Sequence, residues 1–219
     1  MGPRRYLDNE LIGLNRMLKR MGFLVEEAID RSIRSLVEHE SALAREVIAD
    51  DDLIDDLELE IEEKCINLIA TQQPLAGDLR KIFTALRIIT DLERMADHAV
   101  DIAKVTIRLE GQQYIKPLID IPRMAMLARG MVEDCLNVYM DRDLELASSI
   151  NKKDDEIDAL YKQVFRELLV YMMESPRTID QATQFLMVSR FLERIGDHAT
   201  NVCEWVVYSV TGKRANFNE

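Results

Sequence analysis

The sequence predicts an all-α fold, two tandem three-helix bundles related by internal duplication, on three observations. Glycine and proline number only 8 and 5 in 219 residues, and aromatics make up 6%; strands and tight turns need more of both. Apolar residues recur in steps of three and four over long stretches, the period of a helix with one buried face. A 14-residue string from the first half also returns in register in the second.

From Leu7 the positions Leu11, Leu14, Leu18, Met21, Val25, Ala28, Ser32 and Leu36 form one seam, which predicts a long first helix. A charged stretch follows, from His39 through Asp50, Asp51 and Asp52. Then Leu53, Leu57, Ile61, Ile66 and Ile69 mark a second helix ending near Gln72-Gln73-Pro74. The aspartates suit its start, where the macrodipole favours negative charge. Past Pro74 and Gly77 a third helix is expected from Asp78 to about Leu109, with Leu79, Ile82, Leu86, Ile89, Ala96, Ala99 and Ile102 on one side. Residues 110–122, EGQQYIKPLIDIP, lack helical period and hold Gly111, Pro117 and Pro122, so the joint is placed there.

The second half then repeats the first. DLERMADHAVDIAK at 91–104 returns as FLERIGDHATNVCE at 191–204, and Asp51, Ile54, Asp55 and Leu57 return as Asp154, Ile157, Asp158 and Leu160. Val25-Glu26-Glu27 matches Val132-Glu133-Asp134, after which the second copy is four residues shorter, about one helical turn. Two repeats are therefore expected, residues 1–112 and 120–219, with three helices each.

Lysine and arginine total 28 against 40 aspartates and glutamates, a net charge of −12. That balance argues against nucleic acid as the main partner, because phosphate neutralisation needs clustered positive charge. Cys65, Cys135 and Cys203 are far apart with no C-x-x-C spacing, which predicts buried thiols rather than a disulfide framework. The N-terminus has no apolar signal region, and no apolar run approaches the roughly 18 residues of a membrane span. A soluble protein of the cytoplasm is expected.

The candidate site is acidic. Glu93 and Asp97 stand four apart, as do Glu193 and Asp197, and Asp101 extends the first stripe. Alone, such pairs describe a solvated face or a salt bridge to Arg94 or Arg194 equally well. An antiparallel hairpin turning near residue 76 places Asp55 level with Asp97 and Asp51 level with Asp101. A second hairpin, turning near residue 177, places Asp158 level with Asp197. Carboxylates gathered from two helices, twice in one chain, repel unless a cation sits among them. Oxygen-only ligation suits magnesium, manganese, calcium or iron; salt-bridged faces are the alternative. His98 and His198 lie about 100° further round the helix and read as core histidines. Met95 and Ile195 stand three residues before them, so the E-x-x-H of helical di-iron oxidoreductases is absent. Neither a phosphate-binding glycine loop nor a nucleophile motif appears, so no enzyme is predicted.

Two three-helix repeats, each closing in an LER-x-x-DHA segment with an E-x-x-x-D motif, and QQPLAGDLR at 72–80 opening the first of those helices, closely resemble the PhoU family. The resemblance spans essentially the whole chain. It implies a bacterial cytoplasmic regulator of phosphate homeostasis that represses phosphate-starvation signalling and modulates phosphate uptake. Implied partners are the ATPase subunit of the phosphate ABC transporter and a phosphate-sensing histidine kinase, with the protein peripheral to the membrane through them and compatible with a homodimer. Family carboxylates that hold metal clusters carry over onto Glu93, Asp97, Glu193 and Asp197, with Asp51, Asp55, Asp154 and Asp158 as partners from the preceding helix. Implied cofactors are divalent or trivalent iron, manganese, magnesium or zinc ions. Asn201 stands where the first copy has Asp101, and Ala96 where the second has Gly196, so unequal faces are expected. The competing reading is a carboxylate-bridged helical metalloenzyme or metal-storage protein.

Overall fold

Residues 3–215 and 217 are described by the computed structural model; the outermost residues of the two expected repeats, 1–2 and 218–219, lie outside them. The described residues form α-helices and one 3₁₀ turn, without a strand. The first repeat holds α1 (Pro3–Glu38), α2 (Ser41–Asp50), α3 (Asp52–Gln72) and α4 (Ala76–Arg108). The second holds α5 (Asp120–Asp141), α6 (Leu144–Glu174), the 3₁₀ turn Pro176–Thr178, and α7 (Ile179–Thr211). The expected three-helix units are present, with one amendment. In the first repeat the middle helix is broken at Asp51, and the charged stretch that the sequence left outside a helix folds as α2. Leu43, Ala44 and Val47 are buried there, and Ala44 and Val47 pack on Ala103 of α4 as a small cluster of their own. At 10 residues, with its apolar residues in two short runs, 42–44 and 47–49, it is too short to set a clear period.

Each helix ends where local chemistry stops it. Asp143 caps α6 by accepting hydrogen bonds from the backbone N–H of Glu145 (2.9 Å) and Leu146 (3.0 Å). Gly212 closes α7 at φ 72°, donating its N–H to Tyr208 O, a backbone conformation suited to glycine.

α4 and α7 carry wider buried stripes than one seam requires because each packs on its own repeat and on the other helix. They run antiparallel: Phe83 meets Trp205, Asp91 meets His198 and Asn201, and Arg108 meets Gln184. Equivalent residues meet near His98 and His198, whose rings lie 5.9 Å apart, so the approximate twofold of the duplication passes there. The surroundings of the two imidazoles differ. Asp91 holds His198 Nδ1 at 2.9 Å, whereas its counterpart Phe191 stacks on His98, leaving His98 Nδ1 buried without a hydrogen bond.

α1 and α5 form the second contact between repeats. Leu136 lies so close over Gly22 that a Cβ there would fall 1.9 Å from Leu136 Cδ1. One hydrophobic cluster consequently runs from Leu7 to Val206 through both repeats. The joint is fastened as well: Tyr114 donates to Leu36 O (2.8 Å), and Ile115 N–H donates to Gln181 Oε1 (2.6 Å). A continuous core predicts a single cooperative unfolding transition in urea. Gly22→Val should lower its stability by about 1–3 kcal/mol through overpacking. Two resolved transitions, with only the first shifted by the substitution, would show that each repeat keeps a core of its own.

Candidate metal centre

Each acidic face is built across a helical hairpin, α3 with α4 and α6 with α7, whose antiparallel course sets residues of the two helices side by side. In the first, the carboxyls of Asp51 and Asp55 stand close to Asp97, and that of Glu93 close to Asp97, Glu58 and Asp55. In the second, Asp154, Asp158, Glu193 and Asp197 converge. The hairpin register expected from sequence therefore makes four of the candidates electrostatic neighbours on each face, without gathering three of them around one point among the described residues. Asp101, the ninth, lies on the same face of α4 but turns to Lys104 (3.1 Å). Asp50, in the same acidic run as Asp51, is held by Arg31 at 2.6 Å.

Sequence reasoning missed Glu58, although it lies level with Glu93 and Arg94 across the same hairpin. It also missed Arg190, which pairs with Glu193 and crosses the ring of Tyr161 at 5.8 Å. Tyr161 is the counterpart of Glu58, and Arg190 that of Thr90. Arg94 reaches Asp97 at 2.9 Å and Glu93 at 3.3 Å, and Arg194 approaches Asp197 at 3.8 Å. The first face thus sets five carboxylates (Asp51, Asp55, Glu58, Glu93, Asp97) against Arg94, while the second sets four against Arg190 and Arg194, with Lys162 on Asp158. Charge density differs in the direction the sequence suggested, for more reasons than Asn201.

Crowding shows in proton affinity. Burial first, and then Asp55 and Asp97, push the Asp51 carboxyl up to about 6. Burial and Asp97 push Glu93 up to about 7, and burial with Asp197 and Asp158 pushes Asp154 up to about 6. Asp55, Glu58, Glu193 and Asp197 shift upward for the same two reasons, burial first. Partly buried carboxylates with too few countercharges are the chemistry of a hard-cation site. In the conformation described, no three Asp, Glu, His or Cys side chains among the described residues are already arranged around one point. Arginine contacts hold several carboxylates apart, so a cation would have to displace Arg94 or Arg190. The donor set fits such an ion by its oxygen chemistry and its uncompensated charge.

Backbone shape separates the faces further. A Cβ at Gly196 would stand 3.0 Å from Asp154 Oδ1 and 3.3 Å from Ile157 Cδ1, so the glycine lets this carboxylate settle against the α7 backbone. Ala96 carries the extra methyl in the first repeat and is itself buried.

Two predictions follow from this geometry. A carboxyl whose proton affinity is raised on folding favours the folded state at low pH, and that contribution disappears as pH climbs through the folded value. Metal-free protein in chelator should accordingly lose thermal stability between about pH 5 and pH 7.5. Manganese should restore it at the upper end, and the triple variant Asp51→Asn, Glu93→Gln, Asp154→Asn should flatten the profile; an unchanged slope in that variant would remove these residues as its cause. Separately, Gly196→Ala should push Asp154 aside and lower metal retained by the second face, measured by elemental analysis after dialysis. Unchanged metal content would show that the glycine serves packing alone.

Comparison with known proteins places these features in context. The family model for the PhoU domain matches residues 18–106 and again 121–206, the two repeats read from the sequence. A phosphate-specific transport system accessory protein PhoU homolog of Clostridium acetobutylicum is 44% identical over 217 residues, covering 99% of each chain. One of Rhizobium meliloti is 45% identical over 206 residues, covering 94% of this chain and 87% of that one. Among solved structures, PhoU from Pseudomonas aeruginosa matches with a TM-score of 0.89 and 36% identity, over 94% of this chain and 99% of that one. The phosphate transport system regulatory protein PhoU from Streptococcus pneumoniae matches with a TM-score of 0.88 and 30% identity, over 96% and 99%. With both repeats matched, and with relatives of this identity along nearly its whole length, the chain belongs to the PhoU family.

Proposed function

We propose that this protein is a cytoplasmic regulator of the phosphate-specific transport system, a metal-binding adaptor between the transporter's ATPase subunit and a phosphate-sensing histidine kinase that restrains phosphate-starvation signalling and modulates uptake. The observation that carries the mechanistic part is the pair of carboxylate faces, each held on a rigid hairpin with more negative charge than its arginines offset. The transport context is supported by the names of relatives aligned over nearly the whole chain. No helix among the described residues is long and apolar enough to cross a membrane, so attachment through partners suits the chain.

The adaptor works by charge. An empty face presents several carboxylates and attracts a basic surface; a cation-filled face presents fewer and attracts it less. Because the first face is more acidic, it fills first and holds its ion more tightly. The regulator reading is preferred to a metalloenzyme because Met95 and Ile195 stand where the E-x-x-H motif of helical di-iron enzymes has its glutamate, three residues before His98 and His198. The cysteines point the same way. All three are buried, and burial pushes Cys65 and Cys203 up to about 12, far from a thiolate nucleophile.

Deleting the gene in its host should leave phosphate-starvation genes expressed in phosphate-rich medium, and a plasmid copy should restore repression. Glu93→Gln with Asp97→Asn should lower bound metal and weaken complementation while leaving helical circular dichroism intact. Normal repression in the deletion strain would reject the regulatory reading. Full complementation by a variant that has lost its metal would separate regulation from metal binding, and oxygen consumption with ferrous iron would favour the metalloenzyme.

A further inference from the structure

Away from both carboxylate faces, the N-terminal half of α4 and the C-terminal half of α7 build an aromatic and basic surface. Trp205, the only tryptophan in the chain, meets Phe83 edge-on at 5.9 Å and Tyr208 edge-on at 6.1 Å. Arg87 lies over both Phe83 and Trp205, 5.2 Å from each ring centre, and Arg214 lies over Trp205 at 5.1 Å. Phe83, Arg87 and Arg214 are exposed, and Trp205 and Tyr208 are half-buried. An open pocket of about 480 Å³ adjoins the indole, lined by Asn201, Glu204, Trp205, Arg214 and Ala215.

Three properties point to a docking face. Among the described residues, neither Arg87 nor Arg214 is paired with a carboxylate; both rest on aromatic rings instead. Glu204, the acid nearest in the pocket lining, is engaged by the backbone N–H of Phe217 at 2.7 Å. In a chain of net charge −12, two free guanidiniums flanking one tryptophan form a local positive patch, composed of residue types that dominate binding hot spots. The fold itself does not demand them. At the position related by the duplication, the same helix pair carries Thr183, Met187, Val105 and Arg108 in place of Phe83, Arg87, Trp205 and Tyr208, so the contact of the two helices does not depend on these side chains. Anchoring of the C-terminal segment does not explain the cluster either. That segment is held by Glu204 and by Asn151, which donates to Phe217 O at 3.4 Å, and Arg87 sits on α4, bound to rings alone.

We infer that this face docks an acidic peptide segment of a partner protein, with an apolar side chain in the pocket beside Trp205 and flanking carboxylates on Arg87 and Arg214. Charge complementarity selects the occupant: unpaired guanidiniums gain bidentate carboxylate partners. The surface is separate from the metal-binding reading and does not depend on it.

The single tryptophan reports on its own site. Full-length protein, excited to spare its tyrosines, is titrated with the capped hexapeptide Glu-Glu-Phe-Leu-Glu-Glu and, in parallel, with Lys-Lys-Phe-Leu-Lys-Lys. Vesicles of phosphatidylcholine with anionic phosphatidylglycerol form a third arm. The acidic peptide should shift the emission to the blue and saturate, and should weaken several-fold between about 50 and 500 mM salt. Arg87→Glu with Arg214→Glu should weaken it by about tenfold or more, and the milder Arg87→Gln with Arg214→Gln by less, with circular dichroism and cooperative unfolding unchanged in both. A structural role alone would alter unfolding and leave no peptide response to lose. The inference is overturned by an emission that the acidic peptide leaves unmoved, by equal affinity in the glutamine variant, or by a response to vesicles without one to the peptide, which would reassign the face to anionic membrane.

Discussion

The antiparallel contact of α4 with α7 is the constraint on which the rest of the molecule depends. Each of these helices faces its own repeat on one side and the other repeat across the approximate twofold, so their buried stripes must be wide and their small residues must fall where the backbones approach. Ala96, Ala99 and Ala199 are buried on these two helices, where larger side chains would hold the backbones apart. With α4 and α7 fixed against each other, α4 also packs on α1 and α2 and α7 on α5, and one further side of each helix is met by α3 or α6. There the acidic hairpins form, facing away from the contact that supports them.

This arrangement accounts for how a chain tolerates carboxylates at such density. Like charges at i, i+4 weaken an isolated helix by some tenths of a kcal/mol, and partial burial adds a desolvation penalty. Neither cost falls on the core, which extends through both repeats without a polar interruption at these faces. Arg94 and Arg190 moderate the repulsion, and the raised proton affinities of Asp51, Glu93 and Asp154 combine burial, the larger cause, with the repulsion of neighbouring carboxylates. A site that stays uncomfortable when empty releases that cost on binding a cation. On the proposed function, that release would couple metal binding to charge display.

Much of this was legible in the sequence because duplication supplies an internal control. The 91–104 and 191–204 strings located α4 and α7, and the register of each hairpin placed Asp55 near Asp97 and Asp158 near Asp197 before any coordinates. Where reading failed, the reason is physical. α2 is only 10 residues long, and its apolar residues fall in two runs between charges, too short to show a clear period. Glu58 sits among so many acidic neighbours that nothing in composition distinguishes it, and Arg190 acts through a partner only the folded chain provides. Asp101 was placed on the correct face, but i, i+3 pairing with Lys104 turns its carboxylate aside, and side-chain direction is not readable from helical spacing. Packing of the two repeats onto one core was equally hidden, because a wide apolar stripe does not say which neighbour covers it.

Comparing the two repeats position by position separates what the fold requires from what it merely permits. Residues that meet the core recur in kind: Leu92 with Leu192, Met95 with Ile195, Ala99 with Ala199, all buried. Residues at its edge or outside it diverge in a correlated way. Glu58 with Thr90 becomes Tyr161 with Arg190, which replaces one more carboxylate with a cation over a ring. Asp91 becomes Phe191, which gives one imidazole of the central pair a carboxylate hydrogen bond and the other a ring stack. Thr183 and Val105 correspond to Phe83 and Trp205, placing the aromatic and basic surface on one end of the molecule only. Packing constrains both copies alike, so it cannot be the source of these differences. They make the two acidic faces electrostatically distinct and set the tryptophan with its two arginines on one end only, so a structure built from a repeat presents chemically different surfaces.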